Sequence, residues 1–231
     1  MRVVVSVGGS VLVPDLDSPQ VAGYADVIER LADAGHEVGV VVGGGPAARE
    51  YIGAARDLGA NETELDRLGI AVTRLNARLL VAALGERAVP SPVTDHAAAR
   101  TALGRGDVPV MGGTEAGHTT DAVATVLAEY VEADLLVYAT SVPGVFDADP
   151  EVDPEATKYD RLPVDDLVAL VAEMDIDAGS NTPVDLLATK LLQRAGLPAV
   201  VIDGSDPEAV ARAVDGDHDG TEIVAGDADP P

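Results

Sequence analysis

The sequence predicts an α/β fold, a mostly parallel sheet covered by helices on both faces. Three observations point there. Short β-branched runs alternate with longer helical stretches along the whole chain. The runs are continuously apolar, as strands buried on both faces are. Glycines gather just after several of them, where a parallel sheet turns into its helices. With 231 residues, 47% of them hydrophobic, the chain can bury a sizeable core.

In chain order, the valine-rich run Val3–Val7 is the first strand candidate, followed by a helical stretch at Val21–Ala34. A second apolar run, Glu37–Val42, precedes helical segments at Ala47–Leu58, Leu65–Leu84 and Asp95–Leu103. Strand Val108–Met111 then leads to helix Asp121–Glu132 and strand Leu135–Ala139. The last third reads as helices Val164–Val171 and Val184–Ala195, strand Pro198–Ile202, helix Pro207–Val214 and a late strand, Thr221–Val224. The Asp/Pro-rich stretch Asp147 to Pro163 is the one weak boundary, so residues 1–225 are expected to form a single domain. Residues 226–231 are expected to be a frayed tail.

Composition narrows the function. Fifteen Lys and Arg against 40 Asp and Glu give a net charge of −25. No basic surface is available for nucleic acid or for an anionic membrane, so neither is an expected partner. The absence of cysteine excludes disulfides, thiolate zinc sites and thiol nucleophiles. The longest uncharged runs fall far short of the ~18 residues that span a bilayer. The N-terminus opens into a strand without a signal-peptide layout, and a cytoplasmic location is expected. Only Lys158 and Lys190 are lysines, and the acids are scattered along the chain. That pattern suits a salt-rich cytoplasm, where ions screen the self-repulsion.

Ligands of open parallel sheets sit beyond the carboxyl ends of the strands. There the sequence places Gly8-Gly9, Gly43-Gly44-Gly45, Gly112-Gly113 and Gly144. One such turn would be ordinary; four favour close approach of backbone to a ligand. Gly43-Gly44-Gly45-Pro46 ends a strand and starts a helix, with proline expected at the first helical position. Free amides and the helix dipole there favour phosphate. Gly43-x-Gly45-x-x-Ala48 also fits a dinucleotide fingerprint, but Asp66, at the required spacing, heads a helical stretch instead of ending a strand.

The segment Gly112-Gly113-Thr114-Glu115-Ala116-Gly117-His118-Thr119-Thr120-Asp121 is the most informative. Three hydroxyls and free amides at a helix start suit a phosphate monoester, although a plain N-cap would need one of them. Asp215-x-Asp217-x-Asp219-Gly220 mimics a calcium loop, but Gly226 stands where that loop needs Glu, so a polar turn into the last strand is expected. His118 has no Ser/His/Asp arrangement around it and reads as a hydrogen-bond donor. Lys190, in Asp185-x-x-Ala188-x-Lys190, is a lysine kept in a chain that avoids lysine.

Together these residues resemble the amino acid kinase family, and within it the archaeal-type UMP kinases. The resemblance runs through VGGSVL (Val7–Leu12), VVVGGGPAAR (Val40–Arg49), VMGGTEAGHTTDAVA (Val110–Ala124), GVFDADP (Gly144–Pro150), the Asp185–Lys190 segment and GDHDGTEI (Gly216–Ile223). It implies a three-layer α/β/α sandwich, an N-terminal acceptor-binding part and a C-terminal ATP-binding part. It implies transfer of the γ-phosphoryl of ATP to UMP with Mg2+, by direct in-line displacement and without a covalent nucleophile. ATP would face Gly9, Ser10, Gly45, Arg49, Thr140, Phe146 and Asp149. UMP would face Gly44, Asp66, Thr114, Glu115, Ala116, Gly117, His118, Thr119 and Thr120, with Asp66 at the ribose. Lys190, Arg49 and Asp121 are the implied catalytic residues, no protein metal-ligand set is implied, and a homohexamer is expected. Two departures stand out: Ser6 occupies a position where many members carry Lys, and Ser141-Val142-Pro143-Gly144 replaces a common Asn-Val-Asp-Gly. A nucleotide-binding storage protein of the same fold, or another small-molecule kinase of the family, is the alternative.

Overall fold

The computed structural model describes residues 1–16, 18–150, 152–153, 155–174 and 184–226. Strand β1 (Arg2–Val7) is followed by a single turn, α1 (Gly9–Leu12), and by α2 (Ser18–Asp33). Then come β2 (Glu37–Val42), α3 (Gly45–Asp57), the long α4 (Glu62–Leu84) and α5 (His96–Leu103). Next are β3 (Val110–Met111), α6 (Thr120–Tyr130), β4 (Leu135–Thr140), β5 (Arg161–Pro163) and α7 (Val164–Met174). The described chain closes with α8 (Leu186–Ala195), β6 (Ala199–Asp203), α9 (Glu208–Asp215) and β7 (Thr221–Val224).

The strands form one sheet in the order β3-β2-β1-β4-β6-β7-β5. Every pair is parallel except β6 with β7. Side chains of a strand alternate between faces, and here both faces are dry. Val3, Val5 and Val7 join Tyr24 and Ile28 of α2, Leu80 of α4 and Val210 of α9 in one core. Val4 joins Leu103 of α5, Leu127 of α6, Leu167 of α7 and Leu192 of α8 in the other. The result is the expected three-layer α/β/α sandwich, with unbroken apolar strands in its middle layer.

Three elements differ from the sequence reading, the first being the turn α1, which that reading lacks. The Asp/Pro-rich stretch contributes β5, whose three residues pair with Arg161 opposite Glu222 and Pro163 opposite Val224. β3 is shorter than its apolar run, because Pro109 has no N–H for the ladder; its carbonyl still accepts from Val40 N–H at 3.0 Å. The Asp215-to-Gly220 segment is the link from α9 into β7, as expected of a polar turn. The expected tail falls, from residue 227 on, outside the described residues.

Candidate functional site

The chain runs from β1 outward to β2 and β3, then crosses back to β4 and β6 on the other side. The order therefore reverses between β1 and β4, where open α/β sheets leave a crevice for ligand. The glycine turns line up there because the sheet ladder continues into them. Gly8 N–H donates to Ala139 O at 3.0 Å, Gly43 N–H to Val7 O at 2.9 Å and Gly204 N–H to Thr140 O at 2.8 Å. The turn at Gly43, Gly44 and Gly45 lies against Gly9 so closely that a side chain on Gly9 would overlap its backbone. Gly45 itself has φ +63°, a left-handed conformation that glycine adopts without strain. It also begins α3, which puts Pro46 at the second helical position instead of the first. The missing N–H is harmless there too, since the first four helical amides lack intrahelical partners. The N-cap, Gly44, offers no side chain, so the α3 terminus is bare.

The segment from Gly112 onward hangs on α4. Gly113 N–H donates to Thr73 Oγ1 at 2.7 Å, and Arg74 Nε donates to Gly113 O at 3.1 Å. Further along, Gly117 N–H donates to Asp66 Oδ2 at 2.8 Å, so the expected ribose carboxylate also holds the expected UMP segment. Thr119 Oγ1 accepts Ala122 N–H at 3.0 Å and caps α6. The same hydroxyl donates to Asp185 Oδ2 at 2.5 Å. Asp185 in turn caps α8, its Oδ1 accepting Leu187 N–H and Ala188 N–H at 2.8 and 3.0 Å. Two side chains thus join the starts of α6 and α8. Thr114, Glu115, Ala116 and Thr120 lie in or beside this segment, and the exposed His118 donates its N–H to Glu115 O at 3.2 Å.

Asp121 lies in the first turn of α6. Its Oδ1 accepts from Ser6 Oγ at 2.8 Å, and Ser6 is 2% exposed. Burial raises the Asp121 pKa to about 6; the Ser6 hydrogen bond pulls it down and the nearby Asp185 charge pushes it up. Beneath it, burial raises the Tyr138 phenol far above its usual range and keeps it neutral, 2.6 Å from Thr125 Oγ1.

The remaining expected residues are spread over several elements. Ser10 follows Gly9 in α1, and Arg49 is exposed on α3. Thr140 ends β4, and its hydroxyl bonds locally to Val142. Phe146 is half-buried and bridges to Lys158, while the next residue, Asp147, pairs with Thr157; Asp149 O anchors the following turn by accepting Asp153 N–H at 2.8 Å. These bonds run to the β5 approach and not to the glycine turns. Lys190 is exposed on α8, and neither it nor Arg49 makes an ion pair among the described residues. Three residues absent from the sequence reading of the site belong to it: Thr73, Asn76 and Asp185. Asn76, 2% exposed, donates from Nδ2 to both Gly43 O and Gly44 O, at 2.9 and 3.1 Å. The signal was present. Asp66, Thr73 and Asn76 follow at helical spacing, polar residues along one side of α4.

Residues 1–203 match the model of the amino acid kinase family. The chain belongs to that family. Among its relatives, a uridylate kinase of Haloarcula marismortui is 62% identical over 97% of this chain and 99% of its own length. One of Natronomonas pharaonis is 60% identical over the same shares. The crystal structure of uridylate kinase from Archaeoglobus fulgidus, 46% identical, aligns with a TM-score of 0.88 over 97% of this chain and all of its own. The family likeness thus extends through both halves of the sheet and across the crevice between them.

Proposed function

We propose that the chain is an ATP:UMP phosphotransferase, forming UDP and ADP in pyrimidine nucleotide synthesis. The observation that carries this reading is full-length similarity to uridylate kinases at about three residues in five. The geometry supports it. Phosphoryl transfer has a loose transition state, so a site needs positioned amides and cations more than a nucleophile. The bare α3 start and the crossed glycine turns offer amides at the switch point. In this reading UMP lies along residues 114–120 with its ribose at Asp66. ATP lies across Gly9, Ser10, Gly45 and Arg49 toward Thr140, Phe146 and Asp149. Lys190, Arg49 and Asp121 are the catalytic residues of this reading, with the two cations drawn to the charge on the transferring phosphoryl. In this reading Mg2+ arrives as part of MgATP, held by the substrate phosphates.

We read the assembly as a homohexamer in a salt-rich cytoplasm. α4 is long and apolar enough by composition to cross a membrane, yet only a third of its most apolar window is buried in this chain. Leu58, Leu75 and Tyr51 on and beside α3 and α4 are 88%, 58% and 59% exposed. In this reading a second copy covers that face.

The test is ADP release in molar KCl with UMP, CMP, dUMP, AMP, acetylglutamate, carbamate and isopentenyl phosphate as acceptors. Turnover dependent on UMP and Mg2+ is expected. Equal turnover of all acceptors, or none, would sink the reading.

A further inference from the structure

We propose that Asn76 is a positioning residue for phosphoryl transfer, acting through the backbone of the Gly43–Gly45 turn; the inference rests on the kinase reading above. In a trans peptide, the carbonyl of one residue and the N–H of the next point in opposite directions. Asn76 Nδ2 holds the carbonyls of Gly43 and Gly44 from the α4 side. It therefore turns the amides of Gly44 and Gly45 away from α4. Gly44 has φ −84° and ψ −34°, helical values that keep successive carbonyls on one side, so both bonds can form together.

Gly45 N, Gly44 C and Gly43 O all lie against Gly9, where a side chain would overlap them. The turn is thus held between Asn76 of α4 and the start of α1, and its Gly45 amide lies at the switch point where the expected donor and acceptor phosphates meet. Amides aimed in advance need no reorganisation when charge spreads over the phosphoryl oxygens. A carboxamide suits this task because one nitrogen carries two donors. Aspartate has the same shape but would set carboxylate oxygens against two carbonyls. Thr73 accepts the Gly113 N–H, so α4 braces both turns from behind, one by its carbonyls and the other by an amide.

Steady-state kinetics on Asn76→Asp and Asn76→Ala should show kcat reduced by about 10²-fold and about 10-fold, the scale of disturbing preorganised donors. KM for UMP and for ATP should stay within about threefold, since ground-state contacts elsewhere remain. A folded variant with wild-type kcat, or one with both KM values raised at unchanged kcat, would overturn the proposal. Wild-type turnover of UMP is the control, and its absence would count against the kinase reading alone. A second measurement needs neither variant folding nor turnover. In 15N-glycine-labelled wild-type protein, inorganic tripolyphosphate should shift the Gly44 and Gly45 amide resonances and leave the remote Gly35 and Gly106 unmoved. Unshifted Gly44 and Gly45 amides would overturn the assignment of their direction.

Discussion

The starts of α3 and α6 both face the crevice, and they are built in opposite ways. α3 begins after three glycines, has no side-chain cap and is held from behind by Asn76. α6 begins with Thr119 as its cap, and that hydroxyl is tied on to Asp185 at the start of α8. The bare end leaves backbone amides for a ligand. The capped ends give amides to their own caps, Ala122 N–H on α6 and Leu187 and Ala188 N–H on α8, and carry the side chains of Asp121 and Lys190 just behind. A run of hydroxyls before a helix therefore does not by itself mean a phosphate site, since one of the three here is a cap.

The largest effect should come from truncating a side chain on a capped helix. Lys190→Ala is expected to lower kcat by about 10²–10³-fold, the scale of losing one transition-state donor, with little change in either KM. A kcat within about twofold of wild type would leave the cationic role to Arg49 and to the metal carried by ATP.

Next comes the carboxylate that holds the acceptor segment. Asp66→Ala removes both the bond to Gly117 N–H and the expected ribose contact. KM for UMP should rise by about 10-fold or more, as losing charge-assisted hydrogen bonds does, while KM for ATP stays nearly constant. Equal changes in the two would mean that the segment acts on both nucleotides.

The capped side also carries the titration. Asp121 has a folded-state pKa near 6 against an ordinary carboxyl near 3.8. The folded state thus binds the proton more tightly, and Asp121 favours the fold most at low pH; that contribution is lost as pH rises from about 4 to about 6. Activity should run the other way, with kcat/KM falling below about pH 6 as the carboxylate is protonated. Ser6→Ala removes the donor to the charged form and should move this limb upward; Asp185→Asn removes a neighbouring charge and should move it downward. A limb that ignores both substitutions belongs to another group.

The smallest effect is thermodynamic. Thr119→Ala loses a helix cap, at a cost of about 1 kcal/mol. In a chain of this size that corresponds to a Tm lower by roughly 2–4 °C, measured in molar salt. A larger drop would show that the link to Asp185 adds stability beyond the cap.

Much of this arrangement could be read in advance. The alternation of valine-rich runs with amphipathic stretches fixes the layers, because both faces of a parallel sheet must be covered. Glycine after glycine at strand ends marks the crevice, since only there does backbone need such close approach. Those are local properties of the chain, and local chemistry decides them. Tertiary structure alone decided the rest. β5 exists because β7 lies beside it, not because Arg161, Leu162 and Pro163 favour a strand. Asn76 reaches Gly43 across 33 positions of sequence, and Thr119 meets Asp185 across 66. Ser6 meets Asp121 only because β1 and α6 pack together, and burial at that meeting raises the carboxyl's pKa. A hydrogen bond is directional and short, so its partner is chosen by where the fold carries each group, which no local pattern encodes.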